Sequence, residues 1–220
     1  MHVPDGLMAP QILILGWVIA IVFIIVATKI LNKRIEEKKI PLMAMLAAGI
    51  FVAQMLNFPI GGGTTGHLVG CALATILLGP YAGIMIITTI LIIQCFLFGD
   101  GGVTALGLNI LNMAIIGSFT FWYVYKLFPE RYRNIGIGVA SWFAVFFSAG
   151  ACAIELAMSH SLTNGIYGIP AYISIPAMLG YHTIIGIGEG IITTGIIVYL
   201  AHSAPEILKM EKITKAGVSE

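Results

Sequence analysis

The chain has 220 residues, 59% of them hydrophobic and only 10% charged, with a formal net charge of +1. Soluble domains average about 45–50% apolar and about 25% charged residues, so this composition excludes a water-soluble fold and implies an integral membrane protein. Eleven Lys and Arg against ten Asp and Glu leave no basic excess for a nucleic-acid partner.

The chain opens Met1-His2-Val3-Pro4-Asp5-Gly6. A free amine at Met1, the backbone nitrogen of His2 and its imidazole can close a five-membered and then a six-membered ring around one ion, supplying three nitrogens in a plane. A fourth position stays open. Square-planar nitrogen sets suit Ni²⁺ or Cu²⁺, and Co²⁺ is less demanding. The plainer reading of His2 is a disordered terminal residue.

Seven apolar segments follow: 9–28, 42–57, 67–79, 81–98, 105–125, 135–158 and 171–200. A helical span takes about 20 apolar residues. The segments are continuous rather than alternating, so an outer-membrane barrel is excluded and an all-α bundle of seven helices is expected. Segment 67–79 is short and breaks at Gly79-Pro80. The first segment reads as an anchor rather than a cleavable signal, because it lacks a basic n-region, is long, and is followed by a basic stop.

Basic residues mark cytoplasmic loops. Lys29, Lys33, Arg34, Lys38 and Lys39 follow the first segment, Lys126, Arg131 and Arg133 the fifth, and Lys209, Lys212 and Lys215 the seventh. The three clusters share one side if seven spans, or another count of the same parity in each interval, is right. The N-terminus then lies outside and the C-terminus inside. The whole chain, 1–220, reads as one transmembrane domain, with 1–8 a chelating segment and 201–220 a cytoplasmic tail.

The second outer loop runs Asn57-Phe58-Pro59-Ile60-Gly61-Gly62-Gly63-Thr64-Thr65-Gly66-His67, on the same face as Met1. Its glycines give backbone freedom at an entropic cost, which suits a loop that folds closely around something. His67 is the best candidate for the fourth ligand; a helix-capping histidine is the plainer reading. Thr65, Asn57, Gln94, Asp100 and Asn109 sit in this loop or at outer ends of spans, where hydrogen bonds can orient ligating histidines. Asn112 shares that end, and His160 is a reserve ligand.

Ionisable groups inside a bilayer are expensive and usually functional; here they are Glu155, His182 and Glu189. His182 and Glu189 are seven apart, on one face of one helix, and can form a polar network supporting the site. Glu155, near the outer end of its span, can simply reach water. His202 reads as interfacial. Ala44 and Ala48 form a small-xxx-small face able to dock another membrane subunit. Cys71, Cys95 and Cys152 fall within spans without CxxC spacing, so no disulfide framework or thiolate site is expected.

Other chemistries fail on their motifs. GGGTTGH lacks the Gly-Lys-Ser/Thr ending of a phosphate loop, and no HExxH occurs. Gly186-Ile187-Gly188-Glu189-Gly190 has no preceding strand. No lysine lies well inside a span, which disfavours a retinal Schiff base.

Four strings, MHVPDG, NFPIGGGTTGHLVG, FGDGGVTALGLN and HTIIGIGEG, together resemble the substrate-capture (S) component of cobalt/nickel energy-coupling-factor (ECF) importers, the CbiM/NikM family. The resemblance spans nearly the whole chain. It implies a six-helix S-component core with one added N-terminal helix. It also implies Ni²⁺ or Co²⁺ as transported substrate, held by the terminal amine of Met1, the amide and imidazole of His2, and His67, with the motifs leaning towards the nickel type. Energy would come from partner ATPase subunits through a transmembrane coupling protein, with a small accessory membrane subunit as a separate chain. The alternatives are a stand-alone secondary metal permease, whose coupling residues would be Glu155, His182 and Glu189, and an S component for an organic vitamin-like substrate.

Overall fold

The computed structural model describes residues 1–34, 39–56, 58–60 and 64–208. Helix α1 (Pro10–Arg34) begins on a proline, whose missing N–H costs nothing in a first turn. It is followed by α2 (Ile40–Gln54), a short antiparallel hairpin of β1 (Phe58–Ile60) and β2 (Thr64–Gly66), and α3 (Cys71–Leu78). Then come α4 (Pro80–Phe98), α5 (Leu106–Lys126), α6 (Arg133–Leu162) and α7 (Ala171–Ser203). Five helices are long and apolar enough to cross a membrane: α1, α4, α5, α6 and α7. The chain is a multi-pass, essentially all-helical membrane protein.

One expectation is corrected. Segment 67–79 contributes only the eight residues of α3, all of them buried. At 1.5 Å per residue it is about 12 Å long, an internal helix rather than a lipid-facing span. The all-α expectation holds, with β1 and β2 a short loop hairpin that pairs Phe58 with Gly66 and Ile60 with Thr64.

Small residues bring the helices together, as expected where lipid offers no hydrophobic drive. Gly107 of α5 lies so close to α1 that a Cβ there would sit 2.6 Å from Trp17 Cα, and Gly190 of α7 faces the carbonyl of Gly138 on α6 just as tightly. These contacts close the α1–α5 and α6–α7 interfaces.

Helices α4 and α5 each contain a wide, π-type stretch, Gln94–Phe98 and Ile110–Ile116. Such turns shift side-chain direction and recur at functional sites. Here they contain Gln94 and Asn112, the second beginning just after Asn109.

Candidate metal centre

The first nine residues are not a loose tail. Met1 is 1% exposed, His2 3% and Val3 0%, so the N-terminus is threaded into the end of the bundle and fixed by hydrogen bonds along its length. Val3 N–H donates to Asn109 Oδ1 at 2.8 Å, while Val3 O accepts from Asn109 Nδ2 at 3.2 Å and from Gly102 N at 2.8 Å. Asp5 accepts from the backbone N–H groups of Val103 (3.0 Å) and Thr104 (2.8 Å) and from the Thr104 hydroxyl. These bonds, the Thr104 side chain first, hold the Asp5 carboxyl below its ordinary range. Leu7 O accepts from Gly168 N at 2.7 Å, and Ala9 N–H donates to Ser159 Oγ at 2.6 Å.

Space for this segment comes from glycine. A Cβ at Gly102 would collide with the Asp5 backbone nitrogen, and one at Gly101 would press on Asn109 and the His2 ring. Gly101 also has φ +88, a left-handed conformation that side chains rarely adopt.

The threading brings three sequence-predicted groups together. The Met1 amine lies 3.4 Å from His67 Nε2, and the His2 and His67 ring centroids are 4.6 Å apart. At a metal–nitrogen distance of about 2.0 Å, neighbouring corners of a square are about 2.8 Å apart, so a small contraction closes the Met1–His67 edge.

Hydrogen bonds also decide which ring nitrogens are available. His67 Nδ1–H donates to the Leu68 carbonyl at 2.7 Å, leaving Nε2 with its lone pair towards Met1. His2 Nε2–H donates to Gln94 Oε1 at 3.1 Å, leaving Nδ1 as the lone-pair nitrogen. That is the nitrogen a six-membered chelate through the His2 amide requires. It is buried and makes no hydrogen bond among the described residues, with Asp100 Oδ1 3.5 Å away. Burial lowers the Met1 amine from an ordinary 8.0 to about 5, and burial with the adjacent amine lowers His2 to about 3. At neutral pH both groups keep the unprotonated form that metal binding needs.

The second rank of polar residues is buried and connected. Gln94 Nε2 donates to Gln54 Oε1 at 2.9 Å, and Gln54 Nε2 donates to Val69 O at 2.6 Å. Glu189 accepts from Val69 N and Gly70 N, each at 2.7 Å, and so clamps the segment that carries His67. Gln94, Asp100, Asn109 and Glu189 therefore all reach the cluster or its supports.

His182 is buried on α7 and donates Nδ1–H to Met178 O at 2.8 Å. It does not hydrogen-bond Glu189, whose oxygens are turned to Val69 and Gly70, so the two expected partners act separately. Glu155 is not simply solvated, because Asn112 Nδ2 donates to it at 2.7 Å. His160 packs on Gly165. Asn57 and the Thr65 side chain lie outside the described residues, while the Thr65 backbone pairs with Pro59. Ala44 and Ala48 are exposed on α2.

Two contributors were missed in the sequence. Gln54 is the one amide side chain in the otherwise apolar IPLMAMLAAGIFVAQ of α2, a signal that was available. Asp5 belongs to a Pro-Asp-Gly pattern, which carries a turn signal and no ligand signal. Among the described residues, no group of three or more His, Cys, Asp or Glu side chains could hold a metal.

Residues 2–207 match the family model described as the cobalt uptake substrate-specific transmembrane region. The chain belongs to this family. Within its wider kinship, the chain is 37% identical over 221 residues to the fused nickel transport protein NikMN of Rhodobacter capsulatus, covering 94% of this chain and 64% of that protein. Among solved structures, a truncated transition metal transporter superposes with a TM-score of 0.88 at 36% identity, over 91% of this chain and 98% of that one. The S component of a bacterial ECF transporter shares the fold at TM-score 0.57 and 23% identity, over 74% of this chain and 95% of that one.

Proposed function

We propose that this chain is the substrate-capture membrane subunit of an ATP-driven ECF importer for Ni²⁺ or Co²⁺. Family membership supports the transport class, and one observation carries the site: the Met1 amine, His2 and His67 converge, with His67 Nε2 facing the amine and His2 Nδ1 left without a hydrogen bond among the described residues. In this reading the Met1 amine, the His2 amide nitrogen, His2 Nδ1 and His67 Nε2 make a planar four-nitrogen set, which suits Ni²⁺ and accepts Co²⁺. The amide loses its proton on binding, so capture releases protons. Gln94 orients His2, and Glu189 holds the His67 segment. Asn109 fixes Val3, and Asp100 supplies a nearby negative charge.

The N-terminus faces outside and the C-terminus inside. The basic clusters follow the first, third and fifth of the five long helices, which is the same parity as a count of seven. Helices α2 and α3 therefore enter as a pair, completing a seven-helix bundle without reversing the orientation. Residues 1–8 act as the chelating segment of a single transmembrane domain, and 201–220 as the cytoplasmic tail. Ala44 and Ala48 offer a small-residue face to a transmembrane coupling protein, with ATPase subunits and a small accessory membrane subunit completing the importer.

Adding one residue before Met1 tests the site most directly. It keeps every side chain but converts the amine into an amide and displaces the new terminus. We expect Ni²⁺ binding to be lost while helix content and thermal stability persist. Wild-type affinity in the extended protein would overturn the assignment.

A further inference from the structure

We propose that Gln54 is a positioning residue that ties both ligand-bearing arms of the metal site together. The proposal rests on the capture reading above. Gln54 is fully buried at the C-terminal end of α2, and both ends of its amide are used. Its Oε1 accepts from Gln94 Nε2 at 2.9 Å, and Gln94 Oε1 in turn accepts from His2. Its Nε2 donates to Val69 O at 2.6 Å, two residues past His67.

Gln54 is therefore the point at which the His2 support meets the His67 support. The Val69–Gly70 peptide it touches is held on its other side by Glu189. It is also pressed by Ile50, one turn earlier on α2, at a contact so close that a Cβ at Gly70 would collide with it. The links run through successive amides, His2 to Gln94, Gln94 to Gln54, Gln54 to the Val69–Gly70 peptide, and end on a carboxylate. Hydrogen bonds in such a chain polarise and strengthen one another, so removing the central amide weakens both arms at once. Ordinary packing would fill this place with leucine or methionine, as in the rest of α2.

The test is Q54M, which keeps length and apolar bulk but can neither donate to Val69 nor accept from Gln94. With the native N-terminus, Q54M should take up one equivalent of Ni²⁺ but release it about tenfold faster, the equivalent of about one net hydrogen bond. The visible absorption band of bound Ni²⁺ should also shift as the His2 ring loses its orientation. Combined with Q94M, the effects should be strongly non-additive, because both substitutions break one chain. A merely structural Gln54 would lower stability without moving the band. A wild-type release rate in Q54M, or additive effects in the double variant, overturns the proposal. Should Q54M not fold, Q54E retains the acceptor for Gln94 and loses the donor to Val69; an unchanged release rate there overturns it equally. Failure of the capture reading is distinct, since the wild-type protein would then bind no Ni²⁺ or would keep it in H67A.

Discussion

The two arms of the site are held in opposite ways. The N-terminal arm is secured by many dispersed bonds, from Asn109 and Gly102 at Val3, Val103 and Thr104 at Asp5, Gly168 at Leu7 and Ser159 at Ala9. Among the described residues, the His67 arm is held chiefly by Glu189 and Gln54 acting on Val69 and Gly70. Load shared over many contacts tolerates the loss of one, whereas load concentrated on one carboxylate and one amide tolerates it less. The N-terminal arm is thus a fixed half-site and the His67 arm the half whose hold can be changed.

Direct ligand loss gives the largest effect and sets the scale for both arms. His2→Ala and His67→Ala should each weaken Ni²⁺ binding by more than about a hundredfold, the upper range for a supporting residue. Calorimetric titration measures this, and retained affinity in either would remove that arm from the site.

Next comes Glu189→Gln, which replaces one acceptor facing a backbone N–H with a donor. We expect about ten- to a hundredfold weaker metal binding, with about 2–3 kcal/mol of destabilisation from the mispaired buried groups. Thermal unfolding with and without Ni²⁺ reports both.

Asp5→Asn should cost less, no more than a few-fold in affinity, because its neighbours along the N-terminal arm remain bonded. The contrast between the arms fails if Asp5→Asn proves more damaging than Glu189→Gln.

The smallest effect is a proton count. A Met1 amine lowered to about 5 is already neutral at pH 7, so binding there should release about one proton, from the His2 amide, rather than two. The amine contributes a further loss of affinity only as pH falls through about 5; at its ordinary 8.0 that loss would begin near pH 8. Titrations in buffers of different ionisation enthalpy separate the two cases.

Much of this was legible in the sequence. Continuous apolar runs mark the helices, and the chelating potential of Met1 and His2 with the glycine-flanked His67 points to the groups that the fold brings together. Gln94, Asp100, Asn109 and Glu189 were found as polar residues in apolar surroundings. What stayed hidden was direction. Hydropathy registers how apolar a segment is but not whether lipid or protein surrounds it, so the buried α3 read as a span. A spacing of seven put His182 and Glu189 on one face but could not show that Glu189 would turn to backbone N–H groups. The wide turns at Gln94 and after Asn109 depend on tertiary packing and leave no periodic trace. Gln54 was overlooked because a single amide at a helix end looks like an ordinary interfacial residue.

The hydrogen-bond chain from His2 through Gln94, Gln54 and the Val69–Gly70 peptide to Glu189 has a polarity: every proton points away from the cluster. Reversing any one amide would set donor against donor or acceptor against acceptor, so the links turn together or not at all. Since the Val69 carbonyl can only accept, Gln54 must turn its amide nitrogen towards it, and this backbone group fixes the sense of the whole row. A backbone carbonyl two residues past His67 thus selects, through two side-chain amides, which nitrogen of His2 is left bare.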